Sequence, residues 1–209
     1  MCGRIALLTY DELEEVLSAV ESRRGMRMAA RGDRAQARPG SAVTGIAAGE
    51  SGLELTPFTW GFAFPGSKKL IFNTRIESAL GGTRMWADAI RDGRCVLPAA
   101  TFFEPHGSET ARSPRTGRPM KRQYEFASPE GEPLLLASVQ RDGRLSVVTT
   151  EPNASVARVH PRMPLVLRFE EVPIWLGDDF PTLADRSGFD LLSSPEDYDE
   201  PEPPQLSLF

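Results

Sequence analysis

Histidine and cysteine are scarce in this chain, with two of each among 209 residues. Cys2 and Cys95 cannot build a disulfide framework, and with only His106 and His160 beside them there is no CxxC or HxxxH pattern to hold zinc. The expectation is therefore no metal and no cofactor. Long apolar runs are missing as well, and none approaches the roughly 20 residues needed to cross a bilayer. The stretch Ile5–Leu8 is too short for a secretory core and no small-residue cleavage site follows it. These absences give a soluble, cytoplasmic protein with no membrane partner as the expectation.

An excess of positive charge is also lacking, since the formal net charge is −5. Its position matters more than its sign. Glu196, Asp197, Asp199, Glu200 and Glu202 stand near the C-terminal end with no basic residue among them. Without those five acids the rest of the chain balances to zero. A neutral body can still carry a basic face. Arg23, Arg24, Arg27, Arg31, Arg34 and Arg38 form one cluster, and Arg112, Arg115, Arg118, Lys121 and Arg122 form another in a loop containing Gly, Pro and Ser. Each is equally a solvated face.

Hydrophobic spacing at Leu13, Val16, Leu17 and Val20, with Thr9 and Glu12 as a capping box, predicts a helix over 10–24 ended by Gly25. A shorter helix over 84–92 ends at Gly93. The remainder reads as strands at 4–8, 43–48, 53–60, 94–97, 101–104, 123–127, 133–140 and 145–150. Short turns at 50–52, 129–131 and 142–143 read as hairpin connections, so the fold expected is α+β on a curved, barrel-like, mainly antiparallel sheet with a few flanking helices. Asn153 caps one or two helical turns that Pro161 closes, leaving His160 at a boundary. A last helix near 170–176 packs Trp175, and the composition past 194 reads as a disordered tail. One domain over 2–194 and a tail over 195–209 follow from this.

Met1-Cys2-Gly3-Arg4 places a cysteine behind an initiator methionine that is normally removed before a small residue. The processed chain would then begin with a free amine and a thiol on adjacent carbons. Amine condensation with an aldehyde gives an imine, and sulfur then closes a five-membered thiazolidine. With pKa values near 8 and 8.5, both groups lie within modest tuning of nucleophilic reactivity at neutral pH. Taken alone, Cys2 is as readily an incidental early residue.

Asn73-Thr74-Arg75-Ile76-Glu77, Phe102-Phe103-Glu104, His160-Pro161-Arg162-Met163-Pro164, Trp60-Gly61, Gly93-Arg94-Cys95-Val96-Leu97-Pro98 and Thr149-Thr150 complete a set. With Met1-Cys2-Gly3-Arg4, and in their order along the chain, they resemble the SOS response-associated peptidase family, also called abasic-site processing proteins. That resemblance spans about residues 2–176. It implies a DNA-damage protein whose terminal cysteine forms a covalent thiazolidine with the ring-opened aldehyde of an abasic site in single-stranded DNA, shielding the lesion at replication forks. Under it, Cys2 is the nucleophile, Asn73 holds the α-amine or the sugar, Glu104 handles protons during imine formation, and His160 assists ring opening and reversal. Arg4, Arg75 and Arg162 are its phosphate contacts. The residue chemistry agrees, because a carboxylate and an imidazole divide the proton transfers of imine formation between them.

Departures accompany the likeness. The family's Gly-Phe-Tyr-Glu-Trp is here Thr101-Phe102-Phe103-Glu104-Pro105, and its Pro-Ser-Trp stretch after Trp-Gly is replaced by Phe62-Ala63-Phe64-Pro65-Gly66. A family asparagine ahead of a proline is replaced near Gln36. Phe64 is the candidate to stack on a base in place of the missing tryptophan, or else it is core. Ordinary readings stand beside the others: Glu104 as a strand end, His160 as a buried imidazole bonded to backbone, and Arg75 paired with Glu77 across an extended segment. Cys95, Trp60, Trp86 and Trp175 read as packing residues.

At the far end, Gln205-Leu206-Ser207-Leu208-Phe209 resembles the short peptide by which bacterial repair proteins dock on the sliding clamp, with Gln205, Leu206, Leu208 and Phe209 as the contacts. Two other readings compete with crosslinking: a cysteine peptidase or amidohydrolase with an N-terminal nucleophile, and a non-catalytic clamp-bound adaptor for single-stranded DNA. Class II glutamine amidotransferases also begin Met-Cys-Gly, but their glutamine-binding motifs are missing here. Covalent capture of a lesion requires only a monomer. Association with the nucleoid follows from such a substrate.

Overall fold

A computed structural model describes residues 2–28, 33–64, 66 and 69–198. Fifteen strands are β1 Ile5–Ala6, β2 Gln36–Ala37, β3 Ala42–Gly49, β4 Gly52–Trp60, β5 Phe62–Ala63, β6 Leu70–Ile71, β7 Asn73–Arg75, β8 Arg94–Ala99, β9 Thr101–Arg112, β10 Pro119–Ala127, β11 Leu134–Arg141, β12 Arg144–Thr150, β13 Met163–Pro164, β14 Val166–Leu167 and β15 Leu192–Pro195. Five helices accompany them: α1 Tyr10–Ser22, α2 Ile76–Leu80, α3 Arg84–Asp92, α4 Ala154–Ala157 and α5 Val172–Leu176.

Strands β12, β4, β3, β8 and β11 pair in that order, and β11 pairs back onto β12, so the expected curved sheet closes on itself. One seam is slight, because β3 meets β8 only at Ile46 opposite Val96. The other is parallel: β4 lies along the start of β12, and after the excursion of residues 61–72, β7 lies along its remainder with Asn73 opposite Val147. Gly61 makes the switch at φ 106°, a left-handed conformation that suits glycine. Its N–H donates to the Leu145 carbonyl and its own carbonyl accepts from Arg144.

A second sheet, β15-β10-β9-β1-β2, covers one side of this barrel. Two apolar clusters follow. Cys2, Ile5, Leu97, Phe102, Phe126, Val147, Val156, Val159 and Met163 belong to one of them. Val16 and Val20 of α1 pack with Trp86, Ile90 and Trp175 in the other. Phe102 stacks on Phe126 at 4.9 Å between centroids, tying β9 to β10. Cys95, Trp60, Trp86 and Trp175 are buried, as packing residues should be.

Several boundaries differ from the sequence reading for identifiable reasons. Helix α1 has the expected Thr9–Glu12 box but ends at Ser22, with Arg23 rather than Gly25 taking the left-handed cap at φ 53°. The turn at 129–131 does not join neighbours: β10 belongs to the second sheet and β11 to the barrel, so this segment crosses between them. The supposed basic loop is the end of a long β9–β10 hairpin, paired out to Arg112 opposite Pro119 past a bulge between Lys121 and Gln123. Beyond 194 the chain stays on the body, because Leu192–Pro195 pair with β10 and the Glu196 N–H donates to the Gln123 carbonyl at 2.9 Å. Residues 199–209, including Gln205, Leu206, Leu208 and Phe209, lie outside the described residues, as do Arg31 and Pro65. No helix among the described residues is long and apolar enough to cross a membrane.

Candidate active site

Cys2 precedes β1 and has no solvent exposure. Its thiol points toward the Arg4 carbonyl at 3.8 Å, within the small apolar space left between β1, β9 and the barrel. Burial first, and the Glu104 carboxylate second, push the thiol pKa well above its ordinary value. The thiol is thus neutral at rest rather than a standing thiolate.

Asn73 reaches Cys2 from β7. Its Nδ2 donates to the Cys2 carbonyl at 2.9 Å, and its Oδ1 has no hydrogen-bond partner among the described residues. The parallel pairing of β7 on β12 fixes the backbone that carries it, since the Val147 N–H donates to the Phe72 carbonyl just before Asn73 and Thr74 pairs with Val148 just after it. Asn73 therefore holds the backbone of Cys2 and leaves a buried acceptor beside it. The sequence reading had assigned it to the amine or the sugar.

Glu104 comes from β9, whose backbone places it opposite Tyr124 of β10. It is fully buried, not the surface strand end that its position in sequence also allowed. Desolvation raises its carboxyl from the ordinary 4.5 to about 7. At neutral pH such a group is divided between acid and base, which is what a proton shuttle requires.

His160 stands just past α4, where Asn153 caps the helix through Oδ1 to the Val156 N–H and the His160 N–H closes onto the Val156 carbonyl. Its Nδ1 lies 2.8 Å from the Arg162 carbonyl and 3.8 Å from Glu104 Oε2. The Arg162 N–H points at the same nitrogen at 3.2 Å, so the Arg162 backbone anchors the ring through Nδ1 in either tautomer. Burial lowers the imidazole pKa, so the ring is neutral at pH 7. A neutral imidazole beside a carboxyl near 7 is a matched acid–base pair.

The three predicted phosphate contacts are in three different states. Arg75, at the end of β7, is exposed, and the expected Arg75–Glu77 pair does not form because α2 begins at Ile76 and turns Glu77 away. Glu77 instead holds Arg162 through two hydrogen bonds of 2.8 and 2.9 Å, while the same guanidinium donates to the Thr149 carbonyl. That pair lowers the Glu77 pKa through its bonds to Arg162. Arg4 lies flat on the Phe103 ring at 3.8 Å and meets Glu196 at 2.5 Å. Neither Glu77 nor Glu196 was found as a site residue from the sequence: one was read as Arg75's partner and the other as tail. Phe64 is 48% exposed and lines a separate apolar pocket of about 320 Å³ with Ile71, Met85, Arg84 and Arg141, sharing no lining residue with the Cys2 cluster.

Of the first basic cluster, Arg34 is committed to Glu12 by bonds of 2.6 and 2.7 Å. Among the described residues no group of three or more His, Cys, Asp or Glu could hold a metal ion.

A family described as SOS response associated peptidase (SRAP) matches residues 1–198. The chain is 26% identical over 226 residues to a Bacillus subtilis protein named abasic site processing protein YoqW, covering 99% of this chain and 92% of that one. It is also 26% identical to the Escherichia coli abasic site processing protein YedK over 149 residues, 66% of this chain and 62% of that one. Among solved structures, a phage-related protein from Bordetella bronchiseptica superposes with a TM-score of 0.69 at 21% identity, covering 93% of this chain and 94% of that one.

Proposed function

The chain belongs to the SOS response associated peptidase family, and from that premise we propose that it handles abasic sites in DNA, capturing the ring-opened lesion in single strands as a covalent thiazolidine on Cys2. The observation that carries this reading is the convergence of Cys2, Asn73, Glu104 and His160 from four separate segments on one buried point.

Removal of Met1 frees the α-amine of Cys2. The amine attacks C1′ of the sugar aldehyde, and a proton from Glu104 leaves with the carbinolamine hydroxyl as water, giving an imine. Sulfur then adds to the imine carbon, its proton passing to Glu104 and the imine nitrogen recovering one, so the sum is aldehyde plus aminothiol to thiazolidine plus one water. The raised thiol pKa supports this order, because an amine that reacts first and a thiol held neutral until ring closure need no standing thiolate. A peptidase reading would need the opposite, a thiolate ready to attack an amide. Neutral His160 assists the opening of the sugar hemiacetal by taking its hydroxyl proton. Asn73 keeps the Cys2 backbone still during both additions.

The test is a single-stranded oligonucleotide with one abasic site, incubated with processed protein and run on a denaturing gel. A heat-resistant shifted band is expected, with intact mass equal to protein plus oligonucleotide minus one water. Cys2→Ala should abolish it. A wild-type protein that gives no band with this oligonucleotide overturns the proposal. The QLSLF ending is proposed to dock on the sliding clamp, and deleting Gln205–Phe209 should abolish clamp binding in a pull-down while the band persists.

A further inference from the structure

We propose that a basic trough formed by Arg4, Arg38 and Lys121 takes the sugar-phosphate backbone of single-stranded DNA alongside the reactive pocket, and that Glu196 and Tyr198, just past β15, hold its Arg4 wall until DNA displaces them. The proposal rests on the DNA reading above.

The trough is a space of about 380 Å³ bounded by Arg4, Arg38, Pro114, Met120, Lys121, Gln123 and Tyr198. Three of its walls are cationic, and two of those, Arg38 and Lys121, are exposed with no carboxylate paired to them among the described ion pairs. The rest of the hairpin continues the same charge, with Arg112, Arg115 and Arg118 exposed toward its tip. Phosphates spaced along a strand suit such a row, because each guanidinium or ammonium meets one of them without any base being read.

The chain's own acid stands against the Arg4 wall of this trough. Glu196 meets Arg4 at 2.5 Å, and its carbonyl accepts from Arg122. The Tyr198 hydroxyl donates to the Glu196 carboxylate at 2.6 Å, and that ring stands between Arg4, Arg38 and Lys121. A carboxylate beside an aromatic ring on a cationic row presents the same chemistry as a phosphate beside a base.

The segment is held in a way that favours exchange. Strand β15 is an edge strand paired on one side only, with all four residues exposed and Leu192 among them. Little apolar surface is lost when it lifts, so its opening is a local event and not global unfolding. Arg4 would not be stranded by the exchange, since a phosphate replaces the carboxylate. Its Nε, which has no hydrogen-bond partner among the described residues, supplies a further donor for bidentate contact.

The experiment uses the full chain and an undamaged, fluorescent oligothymidylate, followed by anisotropy at low salt. Glu196→Gln keeps the shape of the side chain and removes its charge. It should tighten binding by about fivefold, the worth of one partly shielded ion pair. The Arg38→Ala/Lys121→Ala double variant should weaken binding and flatten the log–log salt dependence by roughly 1.4, at about 0.7 per lost phosphate contact. In hydrogen exchange, residues 192–198 should become less protected when the oligothymidylate is added. Unchanged or weaker binding by Glu196→Gln, or greater protection of 192–198, overturns the proposal and makes Glu196 a clip that only secures the terminus. Since no abasic site is present, these results are independent of thiazolidine chemistry, whose failure would show only in the adduct band.

Discussion

At the scale of single residues, Glu104 pits function against stability. Its carboxyl is raised to about 7 in the folded protein by burial and returns to about 4.3 on unfolding. A group raised in this way contributes stability that is fully present below about pH 4.3 and is lost as the pH climbs through 7. Glu104→Gln cannot ionise, so it should melt at a higher temperature than wild type above pH 7, with the gap narrowing toward pH 5. The same variant should slow adduct formation by roughly 10²–10⁴-fold, the usual worth of a general acid–base. Differential scanning fluorimetry from pH 5 to 8 beside timed denaturing gels checks both, and a Gln variant less stable than wild type at pH 8 would refute the raised carboxyl. Asn73→Ala carries a different signature. It leaves the buried Cys2 carbonyl without its donor, which costs about 1–3 kcal/mol at every pH. Adduct yield should fall with it, because the reactive terminus is no longer held.

Elements show how far local sequence carries and where it stops. Helix α3 ends where Gly93 places it, its N–H closing onto the Ala89 carbonyl, because a terminal glycine is decided within a turn. Strand β9 runs eight residues further than the sequence reading allowed. It passes through Pro105 and Gly107 because the bulge in β10 absorbs the irregularity and the pairing resumes. Turn residues 129–131 announce a reversal of the chain but say nothing about which sheet each flank joins. That partition is set by which apolar faces meet: Phe126 on Phe102 on one side, and Leu134–Leu136 against β8 on the other. The β3–β8 seam offers a test at this scale. A Cβ on Gly45 would stand 2.9 Å from the Val96 carbonyl oxygen, which is backbone and cannot yield cheaply. Gly45→Ala should therefore destabilise by about 1–3 kcal/mol, the range of overpacking. Gly188→Ala, with nothing within 4 Å and an unremarkable φ, should leave Tm within about 2 °C. Equal Tm values for both variants would show that the barrel does not close at Gly45.

For the whole molecule, the proposed reactive residues were legible because the proposed chemistry asks for a particular residue type at each position, whereas their supports were not. Cys2, Asn73, Glu104 and His160 lie within 160 residues of sequence and meet only through the parallel β7–β12 pairing and the cap on α4. Glu77 and Glu196 escaped notice because their partners, Arg162 and Arg4, lie 85 and 192 positions away, and pairings of that reach leave no trace in local composition. The acidic end illustrates the same limit: its proline and acid content reads as disorder, yet the charge of Arg4 and Arg122 and the open edge of β10 hold it on the body as far as residue 198. Charge balance then yields a prediction for the molecule as a unit. Asp199, Glu200 and Glu202 are three of the five terminal acids, so a chain ending at Tyr198 carries a formal charge of −2 in place of −5. It keeps the four reactive residues and β15. Its encounter with single-stranded DNA should be tighter at low salt and should converge on that of the full chain as ionic strength approaches 1 M, where the screening length shrinks to about 3 Å. Adduct rates at saturating abasic oligonucleotide should match, because the reacting groups are untouched. A truncated chain that binds no tighter at low salt would mean that those three carboxylates stand outside the field the DNA enters.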